Sequence, residues 1–318
     1  MSRPRIGLIG ARRVRQGLGP FVARWLAEEG AEIPAFLGTS AGSIQLAAEE
    51  LQRQAGISPR GYTNLEDLLA RESLDALAIL SPAETHERYL HAALEHGLNV
   101  LCEKPLIWGR SDFGTRARGI AEAFADRNLL LVENCQWPEV IGGFEDLHGT
   151  IAPLTSFAMR LTPASRGGQM LGDALPHPLS LLQALDPSEA ATLADLELST
   201  HDPQAEELVL EAAYVTPRAR VPIRVELIRG ETLPREASLT INGLVAQRRV
   251  RMDDYALFLG DGAREVPLQD PLRRLLRRFI TGLEATLRGA TPPSVTPIVQ
   301  RAAMLQHALE TFRRAPAP

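Results

Sequence analysis

Short apolar runs alternate with longer segments of helical periodicity through the first part of the chain. Arg5 to Gly10 has the pattern of a buried strand, and a turn-rich stretch then leads to a helical pattern around Phe21 to Glu29. The unit recurs with an apolar run from Ala31 to Leu37 and a helix from about Ser43 to Gln54. Asn64 supplies an N-cap signal ahead of a short helix, and Leu74 to Leu80 predicts another strand. His86 to His96 predicts a helix, Gly97 to Cys102 the end of that helix followed by a short buried strand, Arg116 to Arg127 a helix and Leu129 to Val132 a closing strand. Single helices between short apolar strands indicate a parallel sheet of the α/β class.

The pattern then changes. Asn134 to Pro138 reads as a crossing, followed by a helix from Val140 to Gly149 and a strand from Leu154 to Leu161. From Leu193 to Leu259 the chain is dominated by strands, several alternating polar with apolar as a sheet with one covered face does. Asn242-Gly243 and Gly260-Asp261-Gly262 are turn signals. Helices from about Pro271 to Arg288 and Pro297 to Arg313 close the chain. The expected division is 1–134 for the first domain and 135–318 for an α+β second domain with a large, mostly antiparallel sheet.

Composition narrows the function classes. The 318 residues, 45% hydrophobic and 23% charged, suffice for two cores. A net charge of −5 argues against a nucleic-acid or anionic-membrane partner. The two cysteines, Cys102 and Cys135, are too few for a disulfide framework and lack metal-ligand spacing, so a cytoplasmic, metal-free protein is expected. No signal-peptide core follows Met1, and no apolar run approaches the ~20 residues of a membrane span.

Among the 34 basic residues Lys104 is the only lysine. Its ammonium is a compact donor whose pKa can be tuned, which a guanidinium is not, and Pro105 fixes it at the carboxyl end of a strand, the ligand-binding edge of an open α/β sheet. Gly10 opens the turn after the first strand, as in a dinucleotide-binding (Rossmann) fold, but Arg12 and Arg15 stand where the second and third glycines of the fingerprint are expected. At Gly38-Thr39-Ser40 the acid that usually binds the ribose hydroxyls of NAD is missing, and with Arg12 and Arg13 nearby this favours NADP, NAD remaining possible. Ser81-Pro82 and His86 follow the Leu74 to Leu80 strand. Further on, Asp173 and His177 stand four apart, on one face if they share a first helical turn, and a carboxylate beside an imidazole can orient it for proton transfer. Arg273, Arg274, Arg277 and Arg278 could attract a phosphate, but a solvated helix face is the expected reading.

The Asp75 strand ending in Ser81-Pro82-x-x-x-His86, and above all Glu103-Lys104-Pro105, resembles the glucose-fructose oxidoreductase, inositol dehydrogenase and rhizopine-catabolism (Gfo/Idh/MocA) family. The resemblance implies a Rossmann domain followed by a domain with an open-faced sheet used for self-association, giving a homodimer or homotetramer. It also implies a nicotinamide cofactor near Gly10, Gly38, Thr39, Ser40, Ser81, Pro82, His86 and Glu103, and hydride transfer to or from a small polar substrate. Lys104 would position and polarise the reacting group, with Asp173 and His177 matching the family's Asp-x-Gly-x-His-x-x-Asp; the glycine there is Leu175 and the last acid Ser180. Two other readings stay open: a cofactor-impaired relative that senses a ligand or binds a partner, and a non-redox enzyme using a tightly held nicotinamide.

Overall fold

A computed structural model of the chain describes residues 3–12, 18–109, 111–253 and 255–314. In order, the first elements are β1 (Ile6–Ile9), α1 (Gly19–Glu28), β2 (Ala35–Leu37), α2 (Ala41–Ala55), β3 (Arg60–Tyr62), α3 (Leu65–Arg71), β4 (Ala76–Ile79), α4 (His86–Glu95), β5 (Asn99–Cys102), α5 (Phe113–Asp126) and β6 (Leu131–Glu133). They form a sheet in the order β3-β2-β1-β4-β5-β6 with every pairing parallel. β1, β4 and β5 are buried along their whole length, which is why their residues run continuously apolar rather than alternating.

β2 is shorter than the apolar run Ala31 to Leu37 suggests, because Pro34 has no N–H to give the ladder; only an isolated bridge from Arg5 to Glu32 precedes it. β3, three residues with only Tyr62 buried, carries too little apolar pattern to be read from sequence.

The chain then continues with α6 (Ile141–His148), β7 (Phe157–Leu161), α7 (Gln169–Ala174), α8 (Pro176–Leu185), β8 (Thr192–Leu198), β9 (Glu207–Val215), β10 (Arg220–Ile228), β11 (Ala237–Ile241), β12 (Leu244–Val250), β13 (Leu257–Gly260), β14 (Glu265–Leu268), α9 (Pro271–Leu287) and α10 (Thr296–Arg314). The eight strands form one sheet, β14-β13-β12-β11-β7-β10-β9-β8, antiparallel except where β7 meets β10. Asn242 and Gly243, both at positive φ (53° and 84°), make the two-residue turn that joins β11 to β12. Along β10, Val221, Ile223, Val225 and Leu227 point inward. On the opposite face Glu226 pairs with Arg160 and Arg224, and Arg224 with Glu211.

By contacts the chain divides into two compact units: 1–109, 116–134 and 272–295 in one, and 110–115, 135–271 and 296–318 in the other. The return of 272–295 to the first unit is not evident from chain order. Its cause is apolar: Leu275, Leu276, Phe279 and Leu283 of α9 enter the same cluster as Ile6, Leu8, Leu26 and Phe36.

The polar side of α9 adds a charged clamp. Arg277 donates to Glu29 from Nε (2.8 Å) and Nη2 (3.0 Å), and Arg273 donates to it from Nε (3.1 Å), so these two arginines are ion-paired on an exposed helix face. The hydrogen bond from Arg277 is the main reason that Glu29 titrates below the ordinary glutamate range, with burial opposing and Arg273 assisting. A carboxylate with a lowered folded-state pKa stabilises fully above its unfolded pKa, and loses that contribution as pH falls through the folded value. Glu29→Gln is therefore expected to lower stability at pH 7 by about 0.5 kcal/mol after solvent screening, and to match the parent near pH 3. Urea melts at the two pH values check this; a deficit that stays constant with pH would contradict it.

Candidate active site

One group of candidate residues lies at the carboxyl edge of the parallel sheet, where β1 lies between β2 and β4 and the strand order reverses direction. Gly10 ends β1 at φ +89°, and a Cβ there would lie 2.7 Å from the Ser81 nitrogen and 2.8 Å from the Leu80 carbonyl. Gly19 opens α1 against the same corner: its Cβ would meet the Gly10 oxygen and the Ala11 carbonyl carbon at 2.6 Å. The close helix-to-strand packing of the dinucleotide fold is thus performed by Gly19, at the first position of α1. Arg12 is half-buried at the start of that loop; Arg13 and Arg15 lie outside the described residues. The first turn of α1 holds no acidic side chain and its N-cap, Leu18, makes no side-chain hydrogen bond, so its backbone donors suit an anion such as a pyrophosphate. These residues fit a dinucleotide.

At the end of β2, a Cβ on Gly38 would approach Ile44 Cγ1 at 2.9 Å and Ser43 Oγ at 3.0 Å. Crowding by α2 thus accounts for the absent acid. Thr39 and Ser40 are exposed, and their backbone N–H groups both donate to Ser43 Oγ at 2.9 Å. Ser40 Oγ accepts in turn from the Ser43 N–H, which makes Ser40 the cap of α2.

The Ser81-Pro82 loop is fixed from within. Thr85 Oγ1 donates to the Pro82 carbonyl (2.7 Å) and lies 2.7 Å from Ser81 Oγ. His86 is 1% exposed, with Nε2 2.8 Å from the Ser81 carbonyl and Nδ1 3.0 Å from the Pro105 carbonyl. Burial lowers its pKa, so the ring is neutral near pH 7 and its single N–H serves one carbonyl at a time. His86 therefore links the Ser81 loop to the Lys104-Pro105 turn, whose peptide bond is cis. Asp75, at the start of the same strand, accepts from the Arg5 backbone N–H (2.7 Å) and is structural.

Lys104 follows β5 and is half-buried. Burial pushes the Glu103 carboxyl up, while the charge of Lys104 and a hydrogen bond from Asn134 Nδ2 pull it down. Glu133 accepts from the Leu106 N–H at 2.9 Å, and the Asn134 N–H donates to the Cys102 carbonyl at 2.7 Å. The Cys102 thiol, raised by burial and then by Glu133 and Glu103, has no nucleophilic character.

Asp173 and His177 belong to the second unit. They lie on two successive short helices rather than one first turn: Asp173 is exposed near the end of α7, and His177 is half-buried in the first turn of α8, behind Pro176. Between them Leu175 has ordinary right-handed backbone angles (φ −62°, ψ −29°) and is fully buried, so nothing here requires the family's glycine. Ser180 Oγ donates to the His177 carbonyl at 2.8 Å, a bond within the helix. The ring of His177 is 6.5 Å from that of Trp137, and the Arg248 guanidinium sits 5.5 Å from the centre of Trp137. Trp137, Arg235 and Arg248 escaped the sequence reading; the signal for Arg248 was its place in β12, two residues from the fully buried Ala246. No group of three or more His, Cys, Asp or Glu among the described residues could hold a metal.

The strand order, the glycine-packed corner and the eight-stranded sheet define a Rossmann-type parallel sheet followed by a large mixed, mostly antiparallel one. Residues 5–118 match the family described as "Oxidoreductase family, NAD-binding Rossmann fold". An inositol 2-dehydrogenase from Corynebacterium glutamicum is 39% identical over 77 residues, 24% of this chain and 21% of that protein. Another, from Gluconacetobacter diazotrophicus, is 26% identical over 78% of this chain and 65% of its own length. The chain thus matches less than two thirds of these relatives. The crystal structure of an inositol dehydrogenase homolog from Azotobacter vinelandii, complexed with NADH and myo-inositol, superposes with a TM-score of 0.71 at 18% identity, over 98% of this chain and 96% of that one, which shows the shared fold.

The backbone approach at Gly19 makes a direct test. Gly19→Ala is expected to cost about 2 kcal/mol and to weaken dinucleotide binding, since Gly10 and Ala11 backbone atoms cannot yield as a side chain would. Gly42→Ala, where a Cβ meets nothing within 4 Å, should be neutral or stabilising. Thermal melts of both variants check this; equal stability of Gly19→Ala and the parent would refute the packing role.

Proposed function

We propose that the protein is an NAD(P)-dependent oxidoreductase that moves a hydride between a nicotinamide and a small polar substrate, a sugar, cyclitol or related carbonyl compound, with an imine as a further option. The observation that carries this reading is the placement of the only lysine, beside buried Glu103, at the carboxyl end of a strand in a Rossmann-ordered sheet. The names of the inositol dehydrogenases above support the substrate class. The close packing at Gly19 answers the loss of the third glycine of the fingerprint and so weakens one of the two arguments for a cofactor-impaired relative.

The nicotinamide, when bound, supplies or accepts the hydride. Lys104 donates a hydrogen bond to the reacting oxygen or nitrogen and stabilises the charge that develops there. His177 takes up or returns the proton, and Asp173 orients its imidazole. Arg12 and Arg13 with Thr39 and Ser40 contact a 2′-phosphate, for which no acid at Gly38 creates repulsion. Self-association through the outer face of the eight-stranded sheet, where Val245 is exposed, and a reducing cytoplasm, which suits two buried free thiols, complete the reading. Among the described residues no helix is long and apolar enough to cross a membrane.

His177→Ala is expected to reduce turnover by on the order of 10²-fold or more while leaving dinucleotide affinity unchanged, and Lys104→Arg to lower turnover sharply with little effect on stability. Normal turnover in either variant would remove that residue from the mechanism. NADPH should bind at least about tenfold more tightly than NADH, roughly 1.4 kcal/mol, and Arg12→Gly with Arg13→Ala should erase the difference. A preference for NADH in the parent would show that these arginines serve another purpose.

A further inference from the structure

Two arginines of the second unit remain without a role. Arg248 lies on β12, and its Nη2 donates to the Arg235 carbonyl at 2.9 Å. Arg235 stands just ahead of β11, whose Ala237 is the register partner of Arg248, so the sheet itself brings the two guanidinium groups together. Burial lowers the pKa of both, and for Arg248 the neighbouring charge of Arg235 adds to that effect. Asp173 and Glu231 act on Arg235, and Asp270 on Arg248, as attracting charges.

Attraction at a distance leaves donors to be satisfied. Nε and Nη2 of Arg235 and Nε of Arg248 are buried and make no hydrogen bond among the described residues. Adjacent half-buried cations whose buried donors go unused are costly to fold around, and a pair of apolar side chains would be more stable there. Guanidinium forks are the side chains that match the oxygens of a carboxylate or phosphate. The pair also borders the chemistry: Arg248 covers Trp137, whose ring neighbours His177, and Arg235 feels the charge of Asp173.

We infer that Arg235 and Arg248 form an oxyanion subsite, so that the substrate carries a carboxylate or phosphate group, as a sugar acid or sugar phosphate does. The word substrate here rests on the oxidoreductase reading; the anion site itself does not. Trp137 under Arg248 gives a direct readout. The full-length protein is titrated with acetate and with inorganic phosphate at constant ionic strength, with chloride as the reference, and tryptophan fluorescence is followed.

At least one of the two anions should give a saturable change that chloride does not, acetate reporting a carboxylate site and phosphate a phosphate site. Arg235→Gln and Arg248→Gln should each weaken that binding at least tenfold, and Arg248→Leu, which keeps a side chain over Trp137, should do the same. Circular dichroism of the variants checks that they fold. The absence of any saturable response to either anion, or unchanged binding in the folded variants, overturns the inference. NADH and NADPH titrations of the same samples separate the two ideas. Dinucleotide binding without an anion response leaves the oxidoreductase reading and removes the subsite, whereas an anion response without dinucleotide binding does the reverse.

Discussion

Buried polar groups beneath the carboxyl edge of the parallel sheet have to find partners, and meeting that requirement fixes the turn that carries Lys104. His86 reaches the carbonyls of Ser81 and Pro105, Asn134 meets Glu103, and Glu133 takes the N–H of Leu106. None of these groups can leave without stranding another in a region closed to water. The lysine is therefore held beside a buried carboxyl by neighbours that take no part in chemistry. Stability and function meet in this layer.

Gly10 and Gly19 form a second constraint of a different kind, steric rather than polar. Backbone atoms of β1, its following turn and the first turn of α1 come so close that no side-chain carbon fits at either position. This closeness brings the α1 N-terminus up to the sheet edge, and the length of the intervening loop becomes a variable that the fold tolerates.

Much of this was legible in the sequence, and the exceptions have physical reasons. Fully buried strands such as β4 and β5 announce themselves by unbroken apolar runs, and Glu103-Lys104-Pro105 falls within residues 5–118, which match the NAD-binding Rossmann oxidoreductase model. β14 was missed because it is an edge strand of four residues containing Pro267. Gly19 was missed because spacing was counted from Gly10 along a standard turn, whereas the role follows the helix start wherever it falls. Leu175 and Ser180 looked like defects in a motif until their helical backbone and the Ser180 bond to the His177 carbonyl showed a local alternative. The Arg235 and Arg248 pair depends on strand register, which no linear reading displays.

The central claim, that this sheet edge holds a nicotinamide dinucleotide, is most directly tested by equilibrium titration of the purified full-length chain with NADH and NADPH, following nicotinamide fluorescence. The expected result is saturable binding of at least one dinucleotide in the range usual for such ligands, roughly 1 μM to 1 mM. No binding of either at millimolar concentration would contradict the account, leaving a Rossmann fold that has kept its lysine for some other purpose.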